Sequence, residues 1–206
     1  MRQTGWRLLA KRAIDVTAAG ALLAATAPVM GAAALGIRAT MGGPVLFRQE
    51  RVGRGNRVFT IYKFRTMREA APGEGPESDA RRITPLGDLL RRTSIDELPQ
   101  LLNVLKGDMS LVGPRPLLVR YLPRYTAEQR RRHEVLPGLT GQAQIHGRNA
   151  ATWDEKFAHD VWYVDHWSLR LDLKVLAKTA VTVLRRDGIS AEGHATMPEF
   201  MGTEAA

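Results

Sequence analysis

Two adjacent carboxylates, Asp96 and Glu97, precede a Leu-rich segment and are the residues whose types and spacing first suggest chemistry. Ser94 followed three residues later by Glu97 is typical of a capping box, and apolar residues then recur at helical spacing. Pro99 leaves two helix starts open, Ser94 or Asp96, because proline is tolerated only in the first turn. At either start, free backbone N–H groups and the helix dipole favour anions, so we predict that Asp96 stays ionised.

Several cations accompany this pair. Lys63 and Arg65 alternate with Phe64 in a β-branched and aromatic segment, so we expect both cations on one face of a strand, with a merely solvated face as the alternative. Arg91 lies just before the carboxylates, and Arg115 follows them in a Gly/Pro loop. The combination is typical of a site that binds phosphate groups.

Carboxylates among cations fit phosphoryl transfer. A carboxylate can attack phosphorus to form an aspartyl-phosphate intermediate, while its neighbour helps to hold Mg²⁺ through oxygen ligands. We therefore predict Asp96 and Glu97 as catalytic residues and as ligands of Mg²⁺. Taken alone, an Asp-Glu pair is common, and a plain helix cap would be the simpler interpretation of Asp96.

The composition limits the alternatives. The 206 residues are 44% hydrophobic and contain no cysteine, which is typical of one catalytic domain and excludes disulfides, thiolate zinc sites and a cysteine nucleophile. The net charge is +9, and residues 1–57 carry seven of these net charges. This N-terminal excess indicates an anionic partner, such as nucleic acid, anionic lipid or a phosphorylated substrate.

An uncharged segment, residues 16–37, points to lipid. As a helix it would be about 33 Å long, close to the thickness of a bilayer core. A cleaved signal peptide, a spanning helix and a helix that enters and leaves one leaflet are the three alternatives. Basic residues flank both ends, which favours two cytoplasmic ends, and Pro28 divides the segment into two halves. These features leave spanning and re-entrant helices equally supported.

The remaining patterns predict a mainly helical α+β fold. Residues 45–50 and 57–66 form a β-hairpin around a Gly-rich turn, and helices begin near Thr84, Thr126 and Thr152, with a last amphipathic helix over residues 168–186. The loop at 136–149 ends near Arg148 and is predicted to approach substrate. We expect a membrane-associated unit at 1–40, a catalytic domain at 41–190 and a poorly ordered tail at 191–206.

Four segments closely resemble the bacterial sugar transferases, that is, the small monotopic phosphoglycosyl transferases. They are KFRTM at 63–67, residues 93–118, residues 132–149 and WDEKF at 153–157, and the likeness extends from LLAKRAIDV at 8–16 to LDLKVLAKTAVTVL at 171–184. Within the family, the likeness is to the diacetylbacillosamine-1-phosphate transferases of bacterial N-linked glycosylation.

The resemblance implies transfer of a sugar 1-phosphate from a UDP-sugar to undecaprenyl phosphate with release of UMP, on the cytoplasmic face of the bacterial inner membrane. It implies Asp96 as the covalent nucleophile, Glu97 as its support, and Mg²⁺ as the cofactor. It places phosphate-binding positions on Lys63, Arg91 and Arg115, with Arg148 added.

The resemblance also implies a re-entrant membrane helix broken at Pro28, with amphipathic helices at the lipid interface. Ala27 departs from the serine that relatives carry before this proline, so the break would depend on Pro28 itself. Direct transfer with Asp96 as general base is the chemical alternative, and a membrane-tethered basic binding module is the alternative outside catalysis. We expect lipid and no nucleic acid as partner; the sugar and a homodimer stay open.

Overall fold

The computed structural model describes residues 5–70, 73, 75, 78–146, 151–185 and 199–202. A 36-residue helix, α1 (Trp6–Met41), comes first and passes through Pro28 without interruption. The chain is thus not divided into two separate helices at Pro28, and the bend at this proline that a re-entrant course requires stays a prediction. Proline removes one backbone donor, but the helix-forming alanines around it keep the neighbouring hydrogen bonds in place.

Both ends of α1 pack on the rest of the chain. Near the start, Lys11 pairs with Asp172 at 2.6 Å and Ala19 is fully buried. Near the end, Ile37 is fully buried in a cluster with Phe64 and other apolar side chains. The middle of the helix is apolar and exposed, and α1 is long and apolar enough to cross a membrane by length and composition.

The predicted hairpin is confirmed. Strands β1 (Leu46–Val52) and β2 (Val58–Phe64) pair antiparallel, from Val52 opposite Val58 to Leu46 opposite Phe64. Two later strands, β3 (Ser110–Val112) and β4 (Gly138–Thr140), pair in parallel. Small sheets among many helices agree with the predicted α+β class.

Helices make up most of the remaining chain. They are α2 (Asp79–Arg82), α3 (Pro85–Arg92), α4 (Leu101–Lys106), α5 (Ala127–Arg130), α6 (Gln142–Ile145), α7 (Trp153–His166) and α8 (Leu169–Arg185). Thr84, Thr126 and Thr152 accept hydrogen bonds from backbone N–H groups three residues on, which confirms the predicted helix starts. Interfacial placement of these helices stays a prediction.

Helix α4 covers the outer edge of β2. Asn103, which is completely buried, accepts a hydrogen bond from the Tyr62 N–H at 3.2 Å and donates one to the Thr60 carbonyl oxygen at 2.7 Å. Its side-chain amide therefore replaces a neighbouring strand. This contact fixes the hairpin against the segment that carries Asp96 and Glu97.

Residues 199–202 also pack on the domain, although the sequence predicted a poorly ordered tail from residue 191. Phe200 is 2% exposed and lies in an aromatic cluster with Tyr121, Tyr125 and Phe157. Aromatic contacts between distant parts of the chain leave no local periodic pattern, so nothing in the local sequence indicates this docking.

Candidate active site

Asp96 and Glu97 lie in a 3₁₀ helix, Ile95–Gln100, that leads directly into α4. Ser94 before it has a left-handed backbone, with φ of 56°, and its side chain caps no N–H group. The predicted capping box is therefore wrong, because this backbone turns the Ser94 side chain away from the helix start. The side chain of Glu97 is engaged elsewhere.

Glu97 accepts from two cations. Its Oε1 atom is 2.6 Å from Lys63 Nζ and 2.5 Å from Arg115 Nη2, and the Glu97 side chain is 21% exposed. Burial alone would raise the pKa of Glu97, but Arg115 and Lys63 outweigh burial and hold this pKa well below its usual range. Glu97 is thus ionised at neutral pH and orients both cations.

Asp96 has the opposite environment. It is 9% exposed, and among the described residues no group donates a hydrogen bond to its carboxylate. Burial first, and then repulsion by Glu97, raises the pKa of Asp96 to about 6, against the attraction of Lys63, Arg115 and Arg91. The expected stabilisation of its anion at a helix start is wrong in direction, because burial and Glu97 outweigh the helix end. A pKa of about 6 still leaves the ionised form in the majority at pH 7, in agreement with the prediction that Asp96 stays ionised.

Arg91 reaches the site from α3. Its Nε donates to Thr66 Oγ1 at 2.9 Å, and its Nη2 is 3.0 Å from Met67 Sδ. Helix α3 packs closely against the Thr66 backbone because Gly87 has no side chain. A Cβ at this position would lie 1.9 Å from the Thr66 carbonyl oxygen. The structure therefore brings Lys63, Arg91 and Arg115 around Asp96, as the sequence predicted.

Arg65 does not join them. Its guanidinium donates to the carbonyl oxygens of Met41, Gly42 and Gly43, at 2.6, 2.7 and 3.2 Å. Strand β2 ends at Phe64, so the alternation that placed Arg65 beside Lys63 stops one residue too early. Arg65 instead holds the end of α1, and the expectation that it shares a face with Lys63 is wrong.

Arg148 lies outside the described residues, so its predicted role in substrate binding stays a prediction. The sequence analysis did not single out Arg132, which is only 2% exposed in the folded chain. Arg132 pairs with Asp160 at 2.7 Å and donates to the Arg115 carbonyl oxygen at 2.7 Å. Because Asp160 is 28 residues away in the chain, the spacing of residues near Arg132 does not predict this ion pair.

The acidic side chains fit a loosely held Mg²⁺. Within the described ranges, no cluster of three or more acidic, histidine or cysteine residues forms a protein-only metal site. Mg²⁺ is commonly held by one or two carboxylates, with water and substrate phosphates completing its shell. Asp96, whose oxygens accept from none of the described residues, meets this requirement better than Glu97, whose Oε1 already accepts from two cations.

Residues 6–186 match the family described as bacterial sugar transferase. The chain is 52% identical over 197 residues to the uncharacterized sugar transferase EpsL of Bacillus subtilis, covering 95% of this chain and 98% of the relative. Similarity at this level over nearly the whole chain places it in the family: the protein belongs to the bacterial sugar transferases.

Two relatives with more specific names are also similar. The UDP-glucose:undecaprenyl-phosphate glucose-1-phosphate transferase of Caulobacter vibrioides is 45% identical, over 87% of this chain and 71% of the relative. The undecaprenyl-phosphate galactose phosphotransferase of Salmonella typhimurium is 41% identical, over 86% of this chain but only 41% of that longer protein. The likeness to diacetylbacillosamine-1-phosphate transferases stays a prediction.

Proposed function

We propose that this protein transfers a sugar 1-phosphate from a UDP-sugar to undecaprenyl phosphate, releasing UMP, as a first membrane step in glycoconjugate assembly. The observation that carries the proposal is the contrast between Asp96 and Glu97. Glu97 holds Lys63 and Arg115 at 2.6 and 2.5 Å, whereas Asp96 beside it is buried and accepts from no described group. Such an arrangement leaves one reactive carboxylate next to oriented cations.

In the proposed first step, a carboxylate oxygen of Asp96 attacks the phosphorus that carries the sugar. The bond from that phosphorus to the bridging diphosphate oxygen breaks, and UMP leaves with this oxygen. Lys63, Arg91 and Arg115 compensate the charge on the phosphate oxygens. The product is a sugar phosphate bound to Asp96 as an acyl phosphate.

In the second step, an oxygen of undecaprenyl phosphate attacks the same phosphorus. The Asp96 oxygen leaves as the carboxylate, and the sugar is now linked to the lipid through a diphosphate. A raised pKa, about 6 for Asp96, makes its oxygen a stronger nucleophile than that of an ordinary aspartate, while most molecules are ionised at pH 7. Asp96 with support from Glu97 would hold Mg²⁺, which screens diphosphate charge when bound.

Direct transfer is the second candidate, since the same free carboxylate is able to act as general base. Asp96 would then take a proton from the lipid phosphate, which attacks the UDP-sugar without a covalent intermediate. The two routes differ in one observable: only the covalent route releases UMP before the lipid is added.

We further propose that α1 anchors the protein as a re-entrant helix in the bacterial inner membrane, with the catalytic part on the cytoplasmic face. Lys11 and Ile37 are both buried against the rest of the chain, at the two ends of the apolar middle of α1. A helix with both ends on one domain is more readily placed in one leaflet than across two. The acceptor lipid would then reach Asp96 from the same surface.

The test uses the purified full chain in lipid nanodiscs with Mg²⁺ and a panel of UDP-sugars, first without undecaprenyl phosphate. We expect one equivalent of UMP and a mass increase of one sugar phosphate on the peptide that contains Asp96. Lipid added afterwards should remove the adduct and start turnover. Asp96→Asn should give neither signal, whereas Asp88→Asn, on a surface carboxylate that pairs with Arg92, should behave as the parent.

An active preparation with no adduct and no early UMP would select the direct route. Absence of UMP release with every UDP-sugar, with and without lipid, would contradict the transferase function. The panel also identifies the sugar, because the names of relatives include glucose, galactose and N-acetylgalactosamine.

A further inference from the structure

Residues 199–202 dock into a pocket that combines charge and aromatic surface. Glu199 pairs with Arg120 at 2.8 Å and with Arg124 at 2.7 Å. The backbone of Phe200 also takes part: its carbonyl oxygen accepts from Arg124 at 2.5 Å, and its N–H donates to Tyr121 Oη at 3.3 Å. Both the charge and the backbone direction of this segment are therefore recognised.

The Phe200 ring completes an aromatic cluster. Its centroid lies 4.9 Å from that of Phe157, 5.8 Å from Tyr125, 5.6 Å from Trp153 and 5.7 Å from Tyr121. Edge-to-face and stacked pairs at these distances are favourable beyond the apolar area that they bury. Without the Phe200 side chain, all four rings would lose a neighbour.

Two of these rings also hold Arg132. The Arg132 guanidinium lies 5.6 Å from the Phe157 centroid and 5.9 Å from the Tyr125 centroid, and it pairs with Asp160. The same guanidinium donates to the Arg115 carbonyl oxygen at 2.7 Å. A continuous set of contacts thus leads from Phe200, through two rings and Arg132, to the residue that pairs with Glu97.

We propose that the Glu199–Phe200 segment is a positioning element of the active site. It closes the aromatic cluster around Arg132, and Arg132 in turn fixes the backbone of Arg115. The segment thereby sets the position from which Arg115 binds the substrate diphosphate. The inference rests on the proposed function for the identity of the ligand. Arg132, Asp160 and Phe200 act through Arg115 and are positioning residues. The segment is predicted to dock reversibly, since its contacts are to side chains of the domain and not to a strand or helix ladder.

The experiment compares the full chain with a chain that ends at residue 198, using UDP binding as a readout that needs no turnover. We expect truncation to weaken UDP binding about tenfold. Phe200→Leu and Glu199→Gln, which keep most of the volume, should weaken it about threefold each. Met201→Ala is the matched control, because this side chain is 74% exposed, and should leave UDP affinity within the error of the parent.

A synthetic peptide of residues 196–206 is then added to the truncated chain. We expect the peptide to restore UDP affinity at the concentration at which fluorescence anisotropy of a dye-labelled copy reports docking, and the same peptide with Phe200→Ala should do neither. Unchanged UDP affinity after truncation, or docking of the peptide without recovery of UDP affinity, would overturn the inference. Failure of the proposed function would instead appear as a full chain that binds UDP but releases no UMP, while truncation and the added peptide still change UDP affinity.

Discussion

Asp96 and Glu97 are neighbours in one turn, yet their carboxylates have opposite electrostatic environments. Glu97 accepts from Lys63 and Arg115 and has a lowered pKa, whereas burial and Glu97 raise the pKa of Asp96 to about 6. Environments that move the pKa values of two adjacent acids apart are typical of sites in which each acid has a separate task.

Asp96→Asn should abolish activity and stabilise the fold. We expect turnover to fall by at least about 10³-fold, because the amide is neither nucleophile nor base. The folded pKa of Asp96 lies above its unfolded value, so the stability contribution of this group is lost as pH rises from about 4 to about 6. Removing the charge should raise the free energy of unfolding at pH 7 by about 1 to 3 kcal/mol.

Thermal and denaturant unfolding at pH 4 and pH 7 measure this effect. The gain from Asp96→Asn should be present at pH 7 and small at pH 4, where Asp96 is protonated in the folded state. Asp88→Asn provides the control for loss of a surface carboxylate. A destabilised Asp96→Asn protein at pH 7 would show that the carboxylate is not strained in the fold.

Glu97→Gln should shift the pH profile. In the parent, kcat/KM should rise with pH around about 6, where Asp96 becomes ionised. Glu97 raises the pKa of Asp96, and its loss also frees Lys63 and Arg115, so both effects move the midpoint of the rise to lower pH. Activity at the plateau should fall about 10²-fold as the cations lose their orientation. An unchanged midpoint would mean that another group controls the profile.

Arg65→Ala should lower stability more than substrate affinity. Arg65 donates to three carbonyl oxygens at the end of α1 and just after it, and we expect the loss of these hydrogen bonds to cost about 1 to 3 kcal/mol of unfolding free energy. The KM for UDP-sugar should change less than threefold, whereas Arg115→Ala should raise it more than tenfold. Arg57→Ala, on the exposed turn of the hairpin, is the control. A large rise in KM for Arg65→Ala would restore its predicted place in substrate binding.

Gly87→Ala should push α3 away from Thr66, which lies just after β2. Its new Cβ would meet the Thr66 carbonyl oxygen at 1.9 Å, which forces the helix to move. We expect a loss of about 2 kcal/mol or more and weaker UDP-sugar binding, since Arg91 is held by Thr66 and Met67. Gly31→Ala, with open space around its Cβ, should not destabilise the fold, as measured by thermal unfolding.

Both ends of α1 should be accessible from the same side of the membrane. The chain has no cysteine, so single cysteines at Trp6, Ala25 and Thr40 can be labelled without background. In inverted vesicles, an impermeant maleimide should react at Trp6→Cys and Thr40→Cys but not at Ala25→Cys. Labelling of Trp6→Cys only from the opposite side would establish a spanning helix.

The local elements could be predicted from the sequence because their causes are local. Threonine caps at 84, 126 and 152, and the Gly-rich hairpin turn, need only neighbouring residues to act. The grouping of Lys63, Arg91 and Arg115 near Asp96 was also predicted, although from resemblance more than from spacing. The direction of the pKa shift of Asp96 was not, because burial is a property of the folded chain.

The predictions that were wrong, and the residues that were missed, also depend on the folded chain. Serine is a common capping residue, but Ser94 has a left-handed backbone conformation and caps no N–H group. Arg65 follows β2, which ends one residue before it, at Phe64. Arg132 and Phe200 depend on partners far along the chain. Long-range contacts of this kind decide which of several equivalent arginines lies near substrate, and local patterns carry no information about them.

The amide of Asn103 has a consequence for solubility. A two-stranded hairpin leaves two open edges, and an open edge invites pairing with a strand of another molecule. By bonding to the Tyr62 N–H and the Thr60 carbonyl oxygen, one buried side chain occupies two hydrogen-bonding groups of the β2 edge that a foreign strand would need. This single residue therefore leaves less of the β2 edge open to pairing with a strand of another molecule.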